Sequence, residues 1–308
     1  MSAGQSGSGN VFTHLLEELG DHHGFYIGPH KVLDLPVILW DEGRLHLYPS
    51  TKAMEAAGLY RMVEGKIVRS STGAPPALDL SITNLVAYQW LGMLLLGIAL
   101  WRSVRRYRRN PLAPPRGLQN AIEAIALFVR DSIVRPNISN ERLGNRLLPY
   151  FLTLFFFILV LNLLGLLPGG HTATGNLAVT GVLAAIAFLV INGGALVTIG
   201  PKAWLRNLLG GGPLWLSPIL VPIEIIGMFA KAFALCVRLF ANMVAGHTAL
   251  LSLVGLIFFF GTVLIAPISV AFSVFVYFLE TLVAFLQAYI FTILTAVFLG
   301  LASEHHEH

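Results

Sequence analysis

Five apolar stretches, near residues 79–101, 147–168, 176–200, 215–250 and 252–302, constrain this chain more than any other feature of its sequence. Each is long enough to cross about 30 Å of hydrocarbon, which takes roughly 20 helical residues. No water reaches backbone N–H and C=O groups in that layer, so the segments have to be helices. The expected fold class is therefore an all-α membrane protein, in a chain with 56% hydrophobic and only 12% charged residues. The last two stretches are longer than a perpendicular crossing needs. They have to tilt, bend or run partly along the membrane, and a tilted hairpin is expected.

Outside these stretches the chain offers little. The opening MSAGQSGSGN has no basic segment followed by an apolar one, so no secretory leader is expected there;. Residues 1–24 read as flexible and polar. PVILW (36–40) and LHLYP (45–49) flank DEGR (41–44), which predicts a small β-hairpin with a four-residue turn inside an extramembrane region spanning residues 1–78;. Residues 304–308 are expected as a short tail. The single cysteine, Cys236, lies in an apolar run and is expected to pack in a core. No disulfide, metal-ligand set or cofactor is expected.

The charge distribution orients the chain. Residues 1–79 hold six Lys or Arg against nine Asp or Glu, whereas residues 102–146 hold ten Arg against Glu123, Asp131 and Glu141. Basic loops stay inside, so the amino end is expected outside and, after five spans, the carboxyl end in the cytoplasm. Lys202 and Arg206, in the loop expected at 201–212, fall inside on the same count. WRSVRRYRR (101–109) interleaves arginines with aromatics, but directly after an apolar span it suits lipid headgroups rather than nucleic acid. Beyond the breaker NPLAPPRG, residues 117–134 place Leu118, Ile122, Ile125, Leu127, Val129 and Ile133 roughly along one helical face, which predicts an amphipathic helix on the inner membrane surface;.

Few ionisable groups remain within the apolar stretches: Glu224, Lys231, Arg238, His247 and Glu280. A charge at mid-membrane costs about 2.5–3.5 kcal/mol on insertion scales, so such groups persist where they have a use. Glu224, Lys231 and Arg238 are seven residues apart, and at about 100° per residue they drift only about 20° per step, so all three share one face. Asn242 lies about 40° from Arg238, with Ala234, Ala241 and Ala245 within about 60° on the other side. A polar stripe bordered by small residues lets a partner helix come close. On the following stretch, Ser273, Glu280 and Gln287 repeat the seven-residue spacing. One antiparallel register sets Arg238 beside Gln287 and His247 beside Glu280. Lys231, near a helix end, also suits simple snorkelling to the interface. Asn162 and Asn176, near outer span ends, suit either helix contacts or an aqueous entrance.

RLFANMVAGH (238–247) resembles the signature segment of subunit a of the F-type ATP synthase. NLLGLLPG (162–169), TATGNLAVT (172–180), PIEIIGMFAKAFALCVRL (222–239) and LQAYIFTILTAVFLGLASEHHEH (286–308) are similar to that family as well, so the resemblance runs from about residue 79 to the end. It implies a static proton-channel subunit beside a rotating ring of c subunits, held by peripheral stalk b subunits and other ATP synthase subunits. The implied setting is an energy-transducing membrane such as a bacterial plasma membrane. Arg238 would be the essential arginine, Glu224 part of the inner half-channel and Gln287 a neighbour of the arginine. His247 stands where many bacterial members carry Glu and Glu280 where they carry His, an exchange that keeps one imidazole and one carboxylate in the outer half-channel. Ala234, Ala241 and Ala245 would face the ring. The long amino-terminal region departs from the shorter family forms, and nothing is carried over to it.

On this reading protons enter past Asn162, Glu280 and His247, load a ring carboxylate, and leave near Glu224. Arg238 attracts the ionised carboxylate and blocks direct passage. A proton-coupled secondary transporter is the alternative, but it predicts internal repeats and paired broken helices that the sequence lacks. An intramembrane hydrolase would need a nucleophile and base side by side, and adjacent His247 and Thr248 point about 100° apart on a helix.

Overall fold

A computed structural model of the chain describes residues 24–27, 30–63, 66–109, 114–166, 173–208, 216–260 and 266–303. The expected flexible residues 1–23 and the tail at 304–308 lie outside the described residues, as do residues 167–172 between the second and third apolar stretches.

The amino-terminal region is richer in strands than its sequence suggested. Strands β1 (Gly24–Ile27) and β2 (His30–Asp34) pair antiparallel, as do β3 (Val37–Asp41) and β4 (Arg44–Tyr48). A short helix α1 (Thr51–Ala56), a hairpin of β5 (Tyr60–Val63) and β6 (Lys66–Arg69), and strand β7 (Leu78–Asp79) on the free edge of β3 complete the module. The hairpin expected at 36–49 is present, with a tighter turn. Asp41 pairs with Arg44 inside the ladder, leaving Glu42 and Gly43 as a two-residue turn, both at positive φ (49° and 77°). That geometry follows the natural strand twist, and glycine accepts it without strain.

Val37, Leu39, Met54, Tyr60 and Ile67 form the module's core. Beside them the buried Asp41 accepts hydrogen bonds from the Nε and Nη2 groups of Arg69, from the Tyr60 hydroxyl at 2.9 Å and from the Ala77 N–H at 3.2 Å. The Arg69 hydrogen bonds hold the Asp41 carboxyl well below the usual carboxylate range, and burial, with the Asp41 carboxylate beside it, pushes Tyr60 up to about 12. The signs of the two contributions to stability differ. The stabilisation from ionised Asp41 is complete above its unfolded pKa of about 3.9 and is lost only as pH falls toward its lower folded value. That from neutral Tyr60 is complete below about 10 and declines as pH rises toward its folded value. In an alkaline titration of the full-length chain, tyrosinate absorbance is expected to include one late-ionising tyrosine near pH 12. Asp41→Asn is expected to move it to lower pH, and an unchanged titration would contradict this pairing.

Among the described residues, five helices are long and apolar enough to cross a membrane: α2 (Asn84–Arg109), α4 (Glu141–Gly165), α5 (Leu177–Leu208), α6 (Ser217–Phe260) and α7 (Ala266–Ser303). Helix α3 (Leu118–Phe128) connects the first two and continues through a π-helical turn (Val129–Val134) into a last short turn (Arg135–Asn137). Several expected boundaries shift, for physical reasons. The basic run after the first span stays helical through Arg109, because arginine is a good helix former and no breaker precedes Asn110 and Pro111;. Helix α4 starts at Glu141 because the Asn140 side chain caps it, accepting from the N–H groups of Arg142 and Leu143;. Residues 201–208 are helical where a loop was expected. They follow a kink at Gly200 (φ 79°, ψ 163°), a conformation open to glycine, and Pro201 restarts the helix;. The expected break at 250–252 is absent. Nothing there interrupts a helix, and α6 continues to Phe260.

The connector also corrects an expectation. Leu118 and Leu127 are exposed, but Val129, Ile133 and Val134 are fully enclosed by α4 and α7, so only its first half has the surface character predicted for all of 117–134. The membrane core gathers Phe151, Ile158, Leu235, Leu239, Phe291 and Leu299 from three helices. Its tightest point is at Gly300, where a Cβ would come 3.1 Å from the carbonyl carbon of Asn137, so the end of α7 sits directly on the connector's backbone. Helix α6, with 44 residues, is roughly 66 Å long at about 1.5 Å per residue, twice the hydrocarbon thickness;. Only 11% of its most apolar stretch is buried within the chain, against 44% for α4 and α7.

Candidate functional site

The hairpin of α6 and α7 carries the site, and four contacts along its length define the register. From one end, the Lys231 ammonium lies 5.5 Å from the centre of the Phe298 ring. Next, Asn242 Nδ2 donates to Gln287 Oε1 at 2.8 Å. Then the Glu280 side chain lies on the backbone of Gly246, where a Cβ would come 2.9 Å from its carboxyl carbon. Finally the Ser269 hydroxyl donates to the carbonyl of Leu253. Glu280 and the α6 turn that carries His247 thus meet, as the shared polar spacing predicts. The contact made by Gln287 falls one turn beyond the expected register, on Asn242 rather than Arg238.

Gly246 is a feature that sequence reasoning missed. Its signal was a glycine in mid-helix, which costs helix stability and so implies close approach of a neighbour. A larger residue there would displace Glu280. Gly246→Val is expected to destabilise the hairpin by about 1–3 kcal/mol, as overpacking does, measured by thermal unfolding of the purified chain. An unchanged transition would show that Glu280 does not lie on this backbone.

The groups are set in contrasting environments. Gln287 is 3% exposed, and its Nε2 has no partner among the described residues. Both Glu280 oxygens and the Ser273 hydroxyl are enclosed and likewise without a hydrogen-bond partner among those residues. On α6, Leu235, Cys236 and Leu239 face the bundle, and Cys236 packs there as expected, 3.5 Å from the buried Thr180 hydroxyl. Ala234, Ala241, Ala245 and Asn242 lie on the exposed side of the same helix. Arg238 is half-buried between these two faces and makes no hydrogen bond or ion pair with any described residue. Glu224 is half-buried among exposed Ile223, Ile225 and Ile226.

The two asparagines near the outer ends go elsewhere. Asn162, 2% exposed, accepts a hydrogen bond from Thr174 at 2.9 Å and so fixes the 3₁₀ turn Ala173–Gly175 against α4. Asn176 caps α5, accepting from the Ala178 N–H at 2.8 Å;. Both therefore make structural helix contacts, one of the two roles their position allowed. No described contact joins either of them, or Glu224, to the hairpin groups.

Comparison with known proteins agrees with the resemblance. The family described as ATP synthase A chain matches residues 86–300. ATP synthase subunit a of Chloroherpeton thalassium is 46% identical over 231 residues, covering 75% of this chain and 69% of its own. ATP synthase subunit a of Myxococcus xanthus is 44% identical over 233 residues, covering 75% and 76%. Subunit a of Anaeromyxobacter dehalogenans is 46% identical over 233 residues, covering 75% and 59%. With five long apolar helices among its described residues and the polar groups of the α6–α7 hairpin inside the matched region, this multi-pass membrane chain belongs to the ATP synthase A chain family.

Proposed function

We propose that this chain is the static proton-channel subunit of a rotary F-type ATP synthase, working with other ATP synthase subunits and facing a ring of c subunits with peripheral stalk b subunits behind it. The observation that carries this reading is the unpaired Arg238. A guanidinium keeps its charge at any accessible pH, and a membrane protein rarely leaves such a charge without an opposite one. Among the described residues Arg238 has none, while the alanines beside it are exposed on a helix that its own chain covers poorly. A carboxylate on a closely approaching partner helix supplies what is missing.

The mechanism follows from desolvation. A protonated carboxyl on the ring faces lipid cheaply, whereas its ionised form does not, so the ring turns only when loaded. Glu280 and His247 deliver protons from outside, Gln287 and Asn242 order the hairpin beside Arg238, and Glu224, with Lys231 near the inner end, serves the exit. Asn162 and Asn176 hold the segment that borders the outer path. Arg238 receives each emptied carboxylate and separates the two half-channels. Each proton crossing about 100 mV contributes roughly 2.3 kcal/mol, so several combine per ATP. In this reading residues 1–78 lie outside a bacterial plasma membrane, residues 79–303 within or along it, and the tail in the cytoplasm. A self-contained proton-coupled carrier is disfavoured by membership of the family.

Cross-linking tests the facing. With Cys236 replaced by alanine, single cysteines at 234, 241 and 245 are expected to cross-link to the ring. Ala241→Leu is expected to slow rotation while the chain still folds. Cross-links formed only from the opposite face, at 235 and 239, would overturn the proposal.

A further inference from the structure

Where the basic end of α2 meets the start of α3, a concave pocket is lined by Arg102, Arg105, Arg106 and Arg116 together with Trp101 and Gln119. We propose that this pocket binds an anionic phospholipid whose phosphate diester carries a hydroxylated headgroup. The inference does not depend on the proton path, because no pocket residue belongs to it.

Three features point to that ligand. The first is uncompensated charge. No carboxylate lines the pocket, and none of the four arginines forms an ion pair with a described residue. The nearby acid, Glu123, is already engaged by the Tyr107 hydroxyl. Arg105 lies over the Trp101 ring at 5.0 Å, which fixes one guanidinium at the pocket wall;. Guanidinium groups bind phosphate oxygens in pairs of parallel hydrogen bonds, and four of them gathered without an acid favour a phosphate.

The second feature is the floor. Helix α3 begins after Gly117 with no side-chain cap, and its first residues, Leu118 and Gln119, line the pocket, so a helix N-terminus that favours an anion lies at its floor;. Gln119 is 7% exposed, and its Oε1 has no hydrogen-bond partner among the described residues. A buried acceptor oxygen next to bound phosphate calls for a donor on the same ligand, and a headgroup hydroxyl is one.

The third feature is position. The pocket opens beside Ala99 and directly continues the exposed apolar surface of α2, which includes Leu94, Leu95 and Ile98. A soluble phosphate gains nothing from that surface. A lipid lays its acyl chains along it while its phosphate occupies the arginines, as basic pockets between membrane helices do for anionic headgroups.

The test uses the full-length chain purified with its native partner subunits, with retained lipids measured by mass spectrometry after repeated detergent washing. Phosphatidylglycerol is expected to be retained and phosphatidylethanolamine washed away. Arg102→Gln with Arg106→Gln is expected to lose at least tenfold of the retained lipid. Arg108→Gln changes the charge within the same basic run without touching the pocket, and it is expected to leave retention unchanged. Gln119→Leu is expected to erase the preference for phosphatidylglycerol over phosphatidic acid while keeping binding of both. If a variant fails to assemble, adding each lipid back to delipidated wild-type protein and following its thermal transition gives the same discrimination. Equal losses from the Arg108 and Arg106 changes would mean diffuse surface charge and overturn the site. Displacement of the lipid by millimolar glycerol phosphate would overturn the lipid assignment in favour of a soluble phosphate.

Discussion

Arg238→Ala is expected to abolish proton-driven ATP synthesis while the subunit still inserts and assembles. In the proposed mechanism, removing the guanidinium leaves an emptied ring carboxylate beside Ala241 and Ala245 without a counter-charge. An unpaired charge at that depth costs about 2.5–3.5 kcal/mol, which corresponds to roughly a hundredfold loss in the population of the ionised intermediate. Synthesis is therefore expected to fall at least that far, and passive proton leak is expected to rise because nothing separates the half-channels. Arg238→Lys is expected to rescue little, since a compact ammonium lacks the guanidinium's planar fork and loses its proton when desolvated. Membrane vesicles under a fixed imposed proton gradient, normalised to assembled complex, give the measurement. Robust synthesis by an assembled Arg238→Ala complex would remove Arg238 from the mechanism.

The second large effect is expected from exchanging His247 and Glu280. Glu280 lies on the backbone of Gly246, the residue next to His247, so the imidazole and the carboxylate occupy one stretch of the hairpin. Glu280→His alone leaves two imidazoles and no carboxylate, and proton delivery is expected to fall several-fold or more. His247→Glu together with Glu280→His restores one group of each kind. The double exchange is expected to recover a large part of the lost synthesis, which is the non-additivity that coupled neighbours show. If it performs no better than the worse single exchange, the two residues do not act as a unit, and His247 is a packed polar residue.

Much of this site was legible because an ionisable group in an apolar run is a strong signal by itself. Arg238, His247 and Glu280 needed only their spacing to be placed on facing helices. The register of Gln287 was less legible. Counting along ideal antiparallel helices sets it against Arg238, whereas the contacts at Lys231, Asn242, Gly246 and Leu253 show two helices that do not advance in step. Gly246 and Thr174 were missed because a glycine in a helix and a threonine in a turn each have many ordinary uses, and only the neighbour's position reveals the particular one. The apolar stretch ends at residue 200, which predicts the end of a helix at Gly200. A single left-handed residue turned the helix instead. In the amino-terminal module, strands of four or five residues carry too few alternations to stand out, and the Asp41–Arg69 pair joins residues far apart in sequence.

Helix α7 is held very unevenly. From Gln287 to Gly300 it is enclosed, and at Gly300 it rests on the backbone of Asn137. From Ile268 to Leu279 most of its side chains are bare. In mechanical terms it is a beam clamped at one end, with Glu280 just past the support. A neighbour that moves sideways against this hairpin loads the bare part, and the restoring force comes from the clamp. Elastic energy stored and released in each step of such a motor would then depend on a contact far from any proton. Stiffness would be set by the absence of a methyl group at position 300.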